Sequence, residues 1–368
     1  MLRNISWRYF DFWLLGAVVL ATAFGTTMIR SAVAGNEVLL PLIDRQIYFA
    51  VAGLVLIFVV AAIDYRYWMA LYRLIFVVIS LALIALYLSA SEVFGAARWF
   101  SVGVLFLQPT EFAKIAAILL LARYFEKTQN HPRDLRWIFV AFLWTMGIAF
   151  WILIQPNLSN VVVLMVLLAV LLWFNGIQLK HLLLFGVIGF LGIATVVTLS
   201  VFGIPIPFLR GYQQERITNF ILPDPNATFG ERYNVEQALI AIGSGGWFGQ
   251  GYGHGTQTQL RFLKVRHTDF IFSAVSEEFG LAGSLLVIWR CLRTAQKARD
   301  VAGMNIAYGV ATLIFFQGMV NISMNLNIVP VSGLPLPFIS YGGSGLTALM
   351  LAVGLVESVA MRHRQLEF

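Results

Sequence analysis

Residues 261–280 read RFLKVRHTDFIFSAVSEEFG: a basic approach, one acid, Asp269, at the mouth of an apolar stretch, and two more acids, Glu277 and Glu278, inside it. The chain around them is 59% hydrophobic and only 12% charged. Ionisable groups inside an apolar stretch are costly unless they face a bundle interior or a wet cavity, so each is a candidate for function. The mean hydropathy of +0.80, with 30 Phe and 10 Trp among 368 residues, leaves too few polar side chains to cover a soluble core. The chain is read as an integral membrane protein.

Apolar runs able to span a bilayer need about 20 residues each. They fall near residues 10–33, 46–63, 69–89, 109–125, 136–154, 159–175, 180–202, 269–289, 303–325 and 341–361. The expected fold is all-α: a polytopic bundle of about ten membrane helices.

Basic residues orient this bundle. With the N-terminus cytoplasmic, Arg3, Arg8, Arg66, Arg123, Lys127, Arg133, Arg136, Lys180, Arg290, Arg293, Lys297, Arg299, Arg362 and Arg364 all fall on the cytoplasmic side. The short connections on the other face hold little beyond Arg45 and Arg98, so both termini are expected inside. The net charge of +7 is then largely topological, and a nucleic-acid partner is excluded because the basic residues share no single solvated surface. Ser31-Ala32-Val33-Ala34 resembles a signal-cleavage site. The preceding run is longer than a signal h-region, and cleavage would break the charge parity, so the segment is read as the first membrane helix. The lone Cys291 allows no disulfide framework and no cysteine-based metal site.

Short connections make residues 1–368 one membrane domain. The exception is a long extracytoplasmic loop, about 203–268, mixing aromatic, Gly, Gln and Arg residues and expected to be ordered as a partly amphipathic lid. Two further elaborated loops, 92–108 and 326–340, lie on the same face, which points to work done at that membrane surface.

Several residues can carry chemistry. Thr268 is a candidate N-cap that would set Asp269 in the first turn of the next helix. There the helix dipole, with Lys264 and Arg266, would favour the ionised carboxylate. Asp269 is either a dipole-satisfying acid or a functional one. Glu277 and Glu278, eight and nine residues on, sit about 12–13 Å further along the helix and cannot pair with it; structural hydrogen bonding competes with function for both. Pro109 suits a first helical position, and Glu111 and Lys114 share a face. They form either a self-satisfying pair or a Lys114 that meets an anionic headgroup. The glycine run 243–255 lacks a G-K-[ST] ending, so a nucleotide P-loop is not expected. Close packing or a hinge competes there with backbone amides offered to a pyrophosphate. Arg45, Arg98, Arg210 and Arg216 run against the charge bias and suit phosphate, while Trp99 suits an interfacial anchor.

The ordered set GAARWFSVG, QPTEFAK, QPNLS, YQQERI, QALIAIGSGGWFGQGYGHGTQTQL, RHTDFIF with EEFG, and GLPLPFISYGGSG resembles the SEDS (shape, elongation, division and sporulation) family of bacterial cell-wall polymerases. GTQTQLRFL is similar to its rod-elongation, RodA-type, branch. The resemblance covers nearly the whole chain. It implies a ten-helix glycosyltransferase that polymerises lipid II into glycan strands at the outer face of the plasma membrane during cell elongation. It implies a class B penicillin-binding protein, a transpeptidase, as partner, with other membrane proteins of the elongation complex. By position Asp269, beside His267 in HTDF, matches the family's essential acid. Glu111 and Lys114 match its EFxK pair, Arg98 and Trp99 its RW motif, and Ser340 to Ser344 its SYGGS segment.

On this reading Asp269 is the general base for the sugar hydroxyl of lipid II. Lys114, Arg45, Arg98, Arg210 and Arg216 are the cations available to the leaving undecaprenyl pyrophosphate, with Glu111, Trp99, His267 and Ser344 in the substrate site. No organic cofactor is implied; a divalent cation, Mg or Mn, has Asp269 as its candidate ligand. The chain departs from the family at Pro156-Asn157-Leu158-Ser159, where PDLG is common, and at Leu263-Lys264-Val265-Arg266, where an acid-flanked LPE is common. The stretch 283–290 is short beside family members. The competing reading is a lipid II flippase or another carrier of lipid-linked substrates, which buried Glu277 and Glu278 would also suit.

Overall fold

The structure, a computed structural model, describes residues 7–89, 99–102, 105–207, 209–222, 231–260, 262–263, 267–280 and 301–362. The helices are α1 (Phe12–Val33), α2 (Pro41–Ala62), α3 (Tyr65–Ala70), α4 (Tyr72–Ser89), α5 (Pro109–Lys127), α6 (Leu135–Ile154), α7 (Leu158–Phe174) and α8 (Leu179–Val201). They continue with α9 (Gly211–Ile221), α10 (Glu231–Gly245), α11 (Thr256–Gln259), α12 (described over residues 271–280), α13 (Val301–Asn325) and α14 (Gly343–Ala360). A helix stands at each of the ten apolar runs. Of these, α1, α2, α6, α8, α13 and α14 are long and apolar enough to cross a membrane. The chain is an all-α, multi-pass membrane protein. One small addition lies between α4 and α5: strands β1 (Phe100–Val102) and β2 (Leu105–Leu107) pair antiparallel, with Phe100 opposite Leu107.

The centre of the bundle is α5. Pro109 opens it, where the missing N–H costs nothing, and Glu111 in its first turn and Lys127 in its last complement the helix dipole. Residues 113–122 are all buried, with α4, α6, α7, α13 and α14 packed around them. Glycines let neighbours approach closely, as small residues do at membrane helix interfaces. A Cβ at Gly309 of α13 would stand 2.8 Å from Ile118 of α5, and one at Gly354 of α14 would stand 2.9 Å from Val60 of α2. At the other extreme, α8 buries none of its apolar window, and among the described elements its main neighbour is α9.

The two ends of the bundle are organised differently. At the end holding the α1 N-terminus, Asp11 accepts from the amides of Trp13 and Leu14, and Glu357 of α14 accepts the Asp11 amide at 2.9 Å. Together the two acids satisfy three orphan donors of α1. Arg362 closes the same end by donating to the carbonyls of Ala61 and Ala62 that finish α2. At the opposite end the N-termini of α7, α12 and α14, helix α9 and the 326–340 loop come together.

Candidate active site

The turn at residues 267–270 precedes α12, so Asp269 lies ahead of the helix rather than in its first turn. The expected Thr268 N-cap is not formed. The carbonyls that would start the helix are claimed by other segments: His267 O accepts from the Tyr341 amide at 2.9 Å and Thr268 O from Ser340 Oγ at 2.8 Å. Asp269 O accepts from Asn321 Nδ2 at 3.1 Å and from Asn325 Nδ2 at 3.0 Å. Four hydrogen bonds from outside α12 therefore fix the turn that carries the acid.

The carboxylate of Asp269 faces the 326–340 loop, where a Cβ on Gly333 would stand 4.0 Å from Oδ2. Gly333 has φ +69, a conformation that favours glycine. Beyond it Arg216 of α9 donates to Val331 O at 3.4 Å, with its guanidinium 5.6 Å from the Tyr212 ring centroid. Burial pushes the Asp269 carboxyl above its ordinary pKa, and Arg216 opposes that shift. The expectation of a lowered pKa is corrected, because Asp269 sits outside the first helical turn and desolvation outweighs its cation. Lys264 and Arg266 lie outside the described residues.

Several loops are tied to this point. Ser159 at the start of α7 donates to Ser332 O at 2.7 Å, while Tyr212 and Gln213 of α9 donate to Pro156 O. The Asn-Leu-Ser variant thus has its own use here, with Ser159 anchoring the loop beside Gly333. On the other flank, α2 holds the 341–343 segment. Arg45 lies close enough to Tyr341 to act on its hydroxyl electrostatically, Gln46 Oε1 accepts from the Gly342 amide at 3.3 Å, and a Cβ on Gly343 would collide with the Phe49 ring. Tyr341 in turn lies 6.2 Å from His267, ring centre to ring centre.

The remaining residues singled out in the sequence fall as follows. Lys114 is fully enclosed and donates to Glu111 at 2.8 Å, so the two form an internal pair. A Cβ on Gly345, next to buried Ser344, would stand 3.8 Å from Glu111, so the pair supports the start of α14. Arg210 is exposed at the N-cap of α9, where its amide donates to Gln213 Oε1 at 2.9 Å. Trp99 is exposed beside β1, and Arg98 lies outside the described residues. Glu277 and Glu278 are buried and engaged. Glu277 accepts from Gln257 and Thr258, and Glu278 from Ser31 and Gln259.

The glycine run is a packing element. The amides of Gln250 and Gly251 donate to the carbonyls of Glu277 and Glu278, both at 2.9 Å, so they are not offered to a pyrophosphate. A Cβ on Gly245 or Gly249 would strike the α12 backbone at Ser276 or Glu278. The residues that sequence reasoning missed are Asn321, Asn325, Gly333 and Ser159. Asn321 and Asn325 did carry a signal: two of the four side-chain amides in a membrane helix, set one turn apart at its end.

The FtsW/RodA/SpoVE family model, described as "Cell cycle protein", matches residues 3–365. The chain belongs to this family. It is 33% identical to the probable peptidoglycan glycosyltransferase FtsW of Hydrogenovibrio crunogenus, covering 99% of this chain and 95% of that one. It is 32% identical to the peptidoglycan glycosyltransferase MrdB of Escherichia coli K12, covering 95% and 93%. Among solved structures, Thermus thermophilus rod shape determining protein RodA superposes with TM-score 0.69 at 27% identity, covering 98% and 99%. A chain from a study of polymerization and crosslinking by a peptidoglycan synthase complex superposes with TM-score 0.78 at 28% identity, covering 98% and 100%.

Proposed function

We propose that this protein is a peptidoglycan glycosyltransferase that extends glycan strands from lipid II, with Asp269 as general base. The observation that carries the assignment of the base is a desolvated, partly exposed acid fixed by four foreign hydrogen bonds where α9, α12 and the 326–340 loop meet. In the reaction the 4-hydroxyl oxygen of the acceptor sugar attacks the anomeric carbon of the lipid-linked donor glycan. The bond from that carbon to the pyrophosphate oxygen breaks, the pyrophosphate leaves with the electron pair, and the hydroxyl proton passes to Asp269. A positioned base contributes about 10²–10⁴ in rate, and a pKa raised toward the working pH makes a carboxylate a better one.

The departing pyrophosphate needs cations where its charge develops. Arg216 beside Asp269 and Arg45 beside Tyr341 are assigned that role, and Lys114 a supporting one through Glu111 and α14. Among the described residues no three His, Cys, Asp or Glu side chains cluster. A divalent ion here would rest on Asp269 together with substrate oxygens, which suits a Mg²⁺-type ion that keeps several waters.

The basic residues support cytoplasmic termini and a site on the extracytoplasmic face of the bacterial plasma membrane. The likeness to a chain of a peptidoglycan synthase complex supports a class B penicillin-binding protein as partner. The transporter reading leaned on Glu277 and Glu278: both oxygens of Glu277 are occupied by α11, whereas Glu278 accepts from Ser31 of α1 through Oε1 alone and its Oε2 is buried without a partner among the described residues. The test uses proteoliposomes holding this protein and its cognate transpeptidase, with lipid II added. Glycan polymer from wild type is the expected product; movement of lipid II between leaflets without polymer would overturn the assignment in favour of the flippase.

A further inference from the structure

In a regular helix the carbonyl of residue 269 would accept the amide of residue 273. Here an asparagine side chain from α13 stands between them. Asn325 Nδ2 donates to Asp269 O at 3.0 Å, and Asn325 Oδ1 accepts the Ser273 amide at 3.3 Å and the Ser273 hydroxyl at 2.6 Å. A fourth bond, from Asn325 Nδ2 to Asn321 O at 2.8 Å, holds the inserted amide in one orientation. Asn321, one turn earlier, gives Asp269 O its second donor at 3.1 Å and reaches Leu334 O at 2.8 Å, next to Gly333. A carbonyl has two lone pairs, and both are used. Neither asparagine has any exposed surface, so water cannot substitute for either.

We propose that Asn325, with Asn321 beside it, is a positioning residue for the catalytic base: its amide occupies the first hydrogen bond of α12 and so keeps Asp269 out of the helix, turned toward Arg216 and Gly333. The inference rests on the reading of Asp269 as base. Without the Asn325 side chain the Asp269 carbonyl and the Ser273 amide face each other, and the helical bond closes between them. α12 then begins one residue earlier with Asp269 at its N-cap, and the carboxylate turns out of its enclosed position. Such a displacement lowers rate without altering how the lipid-linked substrates are gripped, since a small error in the placement of a reacting group is enough to slow chemistry.

The test measures polymerisation by full-length Asn325→Ala, Asn321→Ala and Asp269→Asn with the cognate transpeptidase, over a range of pH and of lipid II concentration. Expected for Asn325→Ala is a fall in kcat of roughly tenfold or more, an unchanged KM for lipid II, and an acidic limb of the rate profile moved to lower pH as the carboxyl returns to water. Asn321→Ala keeps the Asn325–Ser273 bonds and is expected to show the same changes in smaller degree, which provides the decision if Asn325→Ala does not fold. Wild-type kcat and limb in the asparagine variants, with Asp269→Asn inactive, would overturn the positioning role and leave the base. A loss of kcat with an unmoved limb would also overturn it, as general destabilisation. Wild-type rate in Asp269→Asn would remove the base assignment itself.

Discussion

The carboxylate of Glu277 accepts both the amide of Thr258, at 3.0 Å, and its hydroxyl, at 2.7 Å. With the Gln257 amide at 2.7 Å, an acid from α12 caps the short α11 from outside. Glu277 is therefore expected to be structural. Glu277→Gln, which exchanges an accepting oxygen for a donating NH₂, should lose about 1–3 kcal/mol because buried donors are left unmade. Thermal unfolding in detergent measures this, and an unchanged midpoint would remove the capping role.

Close packing of the glycine run gives a contrast within one segment. At Gly249, φ is +77 and a Cβ would strike the Glu278 carbonyl. Gly249→Ala should destabilise by about 2–4 kcal/mol from backbone strain and overpacking. Gly243, within α10, has nothing within 4 Å of its Cβ position, and Gly243→Ala should stabilise by up to about 1 kcal/mol. Comparable effects at the two positions would contradict the packing account.

The pH dependence follows from Asp269. Its pKa is raised by burial, so the unionised form is favoured in the folded protein, and the stability this brings is present at low pH and lost as pH rises through the raised value. Asp269→Asn, which has no charge to bury, should accordingly be more stable than wild type at neutral pH, with the difference vanishing in acid. For activity, Arg216 favours the ionised form, so Arg216→Gln should move the acidic limb of the rate profile to higher pH. A limb that stays put would separate Arg216 from the base.

Lys114 and Glu111 pair at 2.8 Å with side-chain exposures of 1% and 6%. Removing one partner leaves a buried charge and should cost about 3–5 kcal/mol, whereas Lys114→Met with Glu111→Gln together should recover most of it. Activity that returns with stability in the double variant would mark the pair as support for α14. Activity that stays lost in a stable double variant would assign the pair to substrate.

The sequence made the spans legible because hydropathy is a local property: α1, α2, α6, α8, α13 and α14 each declare themselves by length and composition. The central α5 is less apolar than the helices around it: Glu111 and Lys114 pair inside the bundle, while Arg123, Glu126 and Lys127 reach the surface at its other end. The site was legible in its acid and less so in its geometry. Thr268 carries a capping residue's chemistry, yet the bond it would have shaped is taken by Asn325, 56 residues beyond Asp269. Ser159 anchors Ser332 across 173 residues. The glycine run takes its meaning from the α12 backbone packed against it. No window of local sequence contains such partners.

The most direct test compares the rate of glycan extension from purified lipid II at saturation for wild type, Asp269→Glu and Asp269→Asn, each with the same transpeptidase partner. A base at this position requires Asp269→Asn to fall by about 10²–10⁴ while still binding lipid II, with Asp269→Glu retaining part of the rate. Extension by Asp269→Asn at the wild-type rate would contradict the account.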